Sequence, residues 1–281
     1  MRILLTGRAG QLGSALERPL AALGELAAFD RHGLDLRAIG SAIEEHKPDI
    51  IVNAAAYTAV DRAERERDAA FQVNARAVEE LARKARSLDA LLVHFSTDYV
   101  FDGGKPAPYV ETDAPRPLSV YGKSKLEGER ALEASGCRHF VFRCSWIYAP
   151  TGRNFVNAIL AAARAGRELR VVDDQRGAPT SSAAVATAVA QILSDAALRA
   201  KPSGVYHMTA AGQTTWHGFA KEILANAQLD VRLTPVSSAE YGAPAPRPAN
   251  SLLDNAKLRA AFGIALPDWR EGFRAVMRAM H

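Results

Sequence analysis

The sequence predicts an α/β protein of the Rossmann type, a doubly wound parallel sheet with a small, mixed C-terminal lobe for substrate. Three observations carry that expectation. Short apolar runs alternate with helix-spaced segments through the first half, a glycine-rich turn follows the first run at once, and an acidic residue closes the second. Such alternation gives βα units with right-handed crossovers, and so a parallel sheet covered on both faces.

In chain order, strands are expected at 2–6, 25–29, 49–53, 91–96 and 139–145, with helices at 11–23, 37–46, 68–86 and 120–134 between them. Ile50-Ile51-Val52 and Leu91-Leu92-Val93 are unbroken apolar runs, as strands buried on both faces should be. After Tyr148 the rhythm loosens. Turn-forming stretches such as Ala149-Pro150-Thr151-Gly152 separate helical patterns at 154–164, 183–194, 216–227 and 268–280. A dinucleotide-binding core over 1–148 and a mainly substrate-binding lobe over 149–281 follow, with about 180–195 returning to the core.

Composition bounds the function. The chain has 281 residues, 48% hydrophobic and 23% charged, which is globular rather than disordered. Its 35 Lys+Arg against 31 Asp+Glu leave +4. That balance invites nucleic acid, but the basic residues are spread among acids with no aromatic-interleaved stripe, so no nucleic-acid partner is expected. Apolar runs such as 156–163 are too short to span a bilayer, and Gly7 comes too early for a secretory signal. Two cysteines, Cys137 and Cys144, fit a reduced, cytoplasmic protein. Seven scattered histidines show no metal-ligand spacing, so no metal site is expected.

Gly7-Arg8-Ala9-Gly10-Gln11-Leu12-Gly13 follows the first strand and opens the first helix. Glycines at this spacing allow a tight turn and bring backbone N–H groups to a pyrophosphate at a helix N-terminus. Asp30, roughly 20 residues on, is placed to bond the adenosine ribose hydroxyls. The spacing is GxxGxxG, the form of extended short-chain dehydrogenases. Arg8 and Arg31 suit a 2′-phosphate while Asp30 repels one, so NADH and NADPH both stay open.

Tyr121 and Lys125 lie four residues apart on one face of a helix start. A nearby ammonium favours the phenolate and so is expected to lower the pKa of Tyr121. Thr97, at the carboxyl end of the fourth strand, is positioned to bond a substrate carbonyl oxygen. This set reads as carbonyl–alcohol redox.

The chain resembles the dTDP-4-dehydrorhamnose reductase family of nucleotide-sugar metabolism. The resemblance rests on Gly10-Gln11-Leu12-Gly13, Asn53-Ala54-Ala55-Ala56-Tyr57-Thr58-Ala59-Val60-Asp61, Ser96-Thr97-Asp98-Tyr99-Val100-Phe101, Tyr121-Gly122-Lys123-Ser124-Lys125 and Arg143-Cys144-Ser145-Trp146-Ile147-Tyr148. It continues through Asn154-Phe155, Asp174-Gln175-Arg176-Gly177-Ala178-Pro179-Thr180 and Arg247-Pro248-Ala249-Asn250-Ser251. It implies reduction of the C4 keto group of dTDP-4-dehydro-6-deoxy-L-mannose by NADPH or NADH, giving dTDP-L-rhamnose, with a place in O-antigen and lipopolysaccharide synthesis. Thr97, Tyr121 and Lys125 would be catalytic. Gly7, Gly10, Gln11, Leu12, Gly13, Asp30, Asp35, Leu36, Ala56, Tyr57 and Thr58 would join Tyr121 and Lys125 at the dinucleotide. Thr97, Asp98, Trp146, Asn154 and Arg247 would meet the nucleotide sugar, Arg247 as the partner of its diphosphate. The family also implies a homodimer and, in some members, Mg²⁺, although no carboxylate cluster maps to that ion. The alternatives are an epimerase or another reductase of the same fold, or a cofactor-binding regulatory subunit, which has no need of the Thr97, Tyr121 and Lys125 set.

Overall fold

The computed structural model describes residues 1–30 and 39–280. Strands β1 (Arg2–Thr6), β2 (Glu25–Phe29), β3 (Ile50–Asn53), β4 (Leu91–Thr97) and β5 (His139–Cys144) form one sheet with a sixth strand, Gly204–His207. All five pairings are parallel, and the order is β2-β1-β3-β4-β5 followed by Gly204–His207 at the edge. The chain leaves β1 in one direction to β2 and returns on its other side to β3. The switch point therefore lies between β1 and β3, and ligands bind such sheets outside the carboxyl ends of the strands there.

Burial explains why these segments are strands. Every residue of β3, β4 and β5 is buried. On one face Ile3, Leu5, Val52, Val93 and Phe142 pack with Val185, Val189 and Ile192 of the helix Ser182–Ser194. On the other, Leu4, Ile51 and Leu92 pack with Val78, Leu81 and Leu132. Leu258, Phe262 and Leu266 also join the first face. The chain after Tyr148 thus returns to the core at three places. A separate cluster around Val156, Phe219, Trp269 and Phe273 forms the second lobe.

One departure from the expected elements and one buried ion pair matter for the site. The helix expected over 68–86 is broken by a π-helical turn, Gln72–Arg76. That turn brings Asn74 to the backbone of Tyr57 and to Ser124, with bonds of 2.8, 3.0 and 2.9 Å. The helix Val120–Ser135 is tied to β5 by a buried two-bond ion pair, Arg143 to Glu129 at 3.0 and 2.6 Å. Among the described residues no helix is long and apolar enough to cross a membrane.

Candidate active site

β1 ends at Thr6, and Gly7 turns the chain with φ +76°, a conformation that side chains with a Cβ resist. A Cβ there would lie 2.6 Å from the Ala55 nitrogen, so the turn and the loop after β3 abut. Helix α1 (Gln11–Ala21) starts at Gly10 with no side-chain cap and no acidic residue in its first turn. Its N–H groups and positive dipole end are thus left for an anion. The Gln11 Oε1 is buried with no partner among the described residues. The uncapped helix start fits the pyrophosphate of a dinucleotide.

The turn opens into a crevice of about 1200 Å³, larger than the ~300–1,000 Å³ of a single small-ligand site. Gly7, Gly10, Gln11, Leu12, Asp30, Ala56, Tyr57 and Thr58 line it at one end, and Thr97, Asp98, Tyr121, Lys125 and Trp146 at the other. Gly13 lies beneath, packed so closely that a Cβ would meet the Gly7 oxygen at 2.0 Å. Asp35, Leu36 and Arg31 lie outside the described residues.

Ser119 caps the helix that carries Tyr121, accepting from the Gly122 nitrogen at 3.1 Å. Thr97 Oγ1 accepts the Tyr99 N–H at 3.1 Å and donates to Asp98 Oδ1 at 3.0 Å. The same hydroxyl interacts with that of Tyr121, an interaction that favours the phenolate. Thr97 thus stands between Asp98 and Tyr121. Asp98 is buried, and desolvation pushes its carboxyl up to about 6 against hydroxyls of Ser251, Thr97 and Ser145.

The expected depression of the Tyr121 pKa is overturned. Burial pushes the phenol above its ordinary value and outweighs the Thr97 hydroxyl, which acts the other way, with Asp98 and Cys144 adding to the rise. Lys125 is itself buried, its amine brought down to about 8 by desolvation, and its Nζ sits 3.1 Å from His94 Nε2. A protonated phenol is the form that can give a proton.

Asn154 and Arg247, expected at the substrate from the resemblance, make bonds within the chain. Asn154 caps the helix Phe155–Arg164, accepting from the Asn157 nitrogen at 3.0 Å, and donates to the Ala149 and Thr151 oxygens at 2.9 and 3.3 Å. Arg247 pairs with Asp61 at 2.9 Å and donates to the Ala245 oxygen at 2.9 Å. Neither lines the crevice. Arg153 does, an exposed guanidinium with no polar partner among the described residues.

Trp146 sits at φ +49°, rare for an aromatic residue. Its ring stacks on Trp216 at 3.5 Å and 5°, and its Nε1 donates to Ser251 at 3.2 Å. A Cβ on Gly177 would meet that ring at 2.3 Å, which accounts for the glycine in the 174–180 motif. Sequence reasoning missed Trp216 and Arg153, which also line the crevice. Among the described residues no group of three or more His, Cys, Asp or Glu could hold a metal ion.

The family model for the RmlD substrate binding domain matches residues 1–281. The dTDP-4-dehydrorhamnose reductase of Burkholderia thailandensis is 47% identical over 96% of both chains. That of Escherichia coli K12 is 41% identical over 100% of this chain and 98% of its own. Among solved structures, the dTDP-4-dehydrorhamnose reductase of Bacillus anthracis in complex with NADP superposes with a TM-score of 0.94, at 35% identity over 99% of both chains.

Proposed function

The chain belongs to the RmlD substrate binding domain family, and from that premise we infer that it reduces the C4 keto group of dTDP-4-dehydrorhamnose to give dTDP-L-rhamnose. It is an oxidoreductase of the nicotinamide-dependent kind. The observation that carries the reading is the single crevice that joins the uncapped start of α1 to Thr97, Tyr121 and Lys125.

The bound nicotinamide supplies the hydride for C4. The chain's own groups do the rest. Gly7, Gly10, Gln11 and Leu12 hold the pyrophosphate against the helix start, over Gly13, and Asp30 takes the adenosine ribose. Ala56, Tyr57 and Thr58 continue that wall. Tyr121 gives its proton to the oxygen at C4 as charge develops there, with Thr97 fixing the direction of the phenol and Asp98 fixing Thr97. Lys125 bonds the nicotinamide ribose. Trp146, backed by Trp216, forms the platform for the sugar nucleotide, and Arg153 meets its diphosphate, since a guanidinium suits phosphate oxygens.

NADPH is the proposed cofactor, in keeping with the NADP bound by the Bacillus anthracis relative. Arg8 stands beside the turn in an exposed pair with Glu17 at 3.0 Å. Such a pair is worth only ~0–1 kcal/mol, so a 2′-phosphate can displace it.

The test follows absorbance at ~340 nm with dTDP-4-dehydrorhamnose and each reduced cofactor in turn. Oxidation that depends on the sugar, faster with NADPH, is expected. No oxidation with either cofactor rejects the assignment.

A further inference from the structure

Ser251 is 1% exposed and stands behind the crevice wall rather than in it, yet it meets two groups that do line the crevice. Trp146 donates its Nε1–H to the Ser251 hydroxyl at 3.2 Å. The same hydroxyl hydrogen-bonds the Asp98 carboxyl, which also accepts from Thr97 at 3.0 Å and from Ser145 at 3.1 Å. One buried side chain thus touches the indole and the acid, and Asp98 leads through Thr97 to Tyr121.

The backbone around Ser251 is fixed on both sides. Arg176 donates its N–H to the Ala249 oxygen at 2.8 Å, and Ser251 returns its own N–H to the Arg176 oxygen at 2.9 Å. Asn250 Nδ2 donates to the Lys105 and Ala107 oxygens at 2.7 and 3.0 Å. Tyr109 and Asp254 close that side, donating to the Leu252 and Tyr109 oxygens, each at 2.8 Å. Residues 249–254 therefore run as a ribbon between Arg176–Gly177 and the 105–109 segment. The 174–180 and 247–251 strings meet there over one ring, since Gly177 leaves the space for the Trp146 indole and Ser251 supplies its acceptor.

The ring needs that acceptor. Trp146 has φ +49°, a conformation that persists only where the surroundings over-determine it. Stacking on Trp216 at 3.5 Å and 5° fixes the plane of the indole but leaves it free to turn within that plane. Nε1–H is the only polar hydrogen of an indole, so its bond to Ser251 is the hydrogen bond that sets the in-plane direction.

We propose that Ser251 is a positioning residue for the sugar nucleotide. Its hydroxyl fixes the edge of the Trp146 platform against Asp98, and so sets the spacing between the bound sugar nucleotide and the Thr97–Tyr121 end of the site. This rests on the role given above to Trp146. The link holds in either charge state of Asp98. A hydroxyl has one proton and two lone pairs, and one lone pair takes the Trp146 N–H. An ionised Asp98 takes the Ser251 proton. A protonated Asp98 gives its own proton to the second lone pair, and Ser251 then donates to the Arg176 oxygen at 3.2 Å.

Two variants and one spectrum test this. Ser251→Ala leaves the Trp146 N–H without its acceptor, and Ser251→Thr keeps the hydroxyl. In Ser251→Ala the dissociation constant of dTDP-L-rhamnose, by titration calorimetry, and the KM for dTDP-4-dehydrorhamnose should both rise about tenfold. Ser251→Thr should largely restore them, and the affinity for NADPH should stay unchanged in both. The ¹H–¹⁵N spectrum of tryptophan-labelled protein reads the bond itself, with the Trp146 signal assigned by its loss in Trp146→Phe. That indole proton should lie downfield and exchange slowly with solvent in the wild type, and should move upfield and exchange faster in Ser251→Ala.

A wild-type Trp146 N–H that exchanges like a free indole overturns the proposal with no variant needed. So does a Ser251→Ala protein whose affinity for dTDP-L-rhamnose is unmoved, or whose affinity for NADPH falls by the same factor, as a general packing fault would produce. Neither the spectrum nor the calorimetry needs turnover. Their failure is thus distinct from failure of the reductase reading, which would show as a protected indole in a protein that oxidises no cofactor.

Discussion

Asp98→Asn should stabilise the protein above pH 6 while damaging the site. Asp98 is 2% exposed, and burial raises its carboxyl from 3.8 to about 6. Because folding raises this pKa, the stabilisation it brings is complete below about 3.8 and is lost as pH rises through about 6. At pH 8 the ionised group opposes folding by the whole shift. About two pKa units at ~1.4 kcal/mol each make that up to about 3 kcal/mol. Asparagine keeps the volume and has no charge to bury. Its NH₂ must, however, replace the oxygen that accepts from Ser145 at 3.1 Å, and a mismatched hydrogen bond there costs about 1 kcal/mol. The net gain expected at pH 8 is therefore up to about 2 kcal/mol. Urea unfolding of both proteins across pH 4 to 8 measures it, since effects of other groups cancel in the difference. At the acid end the charge contribution vanishes and the mismatched bond remains, so the gain should turn into a loss of up to about 1 kcal/mol. A gain of equal size at every pH, or none at pH 8, would refute the account of Asp98 as a desolvated carboxylate.

Three further outcomes are expected. Tyr121→Phe should lower kcat by about 10²–10⁴-fold, the usual worth of a positioned acid, with cofactor affinity by fluorescence titration nearly unchanged. Unaltered turnover would remove Tyr121 from the proton's path. In Gly177→Ala the new methyl meets Trp146 at 2.3 Å, so the ring must leave Trp216; near-ultraviolet circular dichroism should lose the stacked-pair signal and KM for the sugar nucleotide should rise several-fold. Arg153→Ala should raise that KM by roughly tenfold, the worth of one charge-assisted bond, and leave cofactor binding alone. An equal effect from Arg247→Ala on binding, with the fold intact, would return the diphosphate to Arg247.

Local chemistry made much of this legible. β1 to β5 announced themselves because their residues are apolar on both faces, and the glycine turn because its shape needs glycine at fixed positions. Gly204–His207 escaped notice. It is four residues long, and its last residue is a histidine whose polar atoms are met only across the fold, by the Glu111 carboxylate at 2.8 Å and the Asp254 oxygen at 3.2 Å. The π-helical turn at Gln72–Arg76 escaped too, since apolar spacing through it looks like continuous helix.

In the site, Tyr121 and Lys125 are neighbours along one helix, so spacing was enough to pair them. Trp146 and Trp216 are brought together only by the second lobe. Asn154 and Arg247 illustrate the converse. Their side chains look suited to a nucleotide, and the sequence does not report that one caps a helix and the other bonds Asp61. The direction of the Tyr121 pKa depended on burial, which no spacing reports.

The central claim is that this crevice transfers hydride from a reduced nicotinamide to C4 of the sugar. Its most direct test uses NADPH deuterated at the transferring position, with dTDP-4-dehydrorhamnose as acceptor and the product read by NMR. One deuteron at C4 of the rhamnose, for each cofactor oxidised, is the predicted result. Product without deuterium, or label at another carbon, would contradict it.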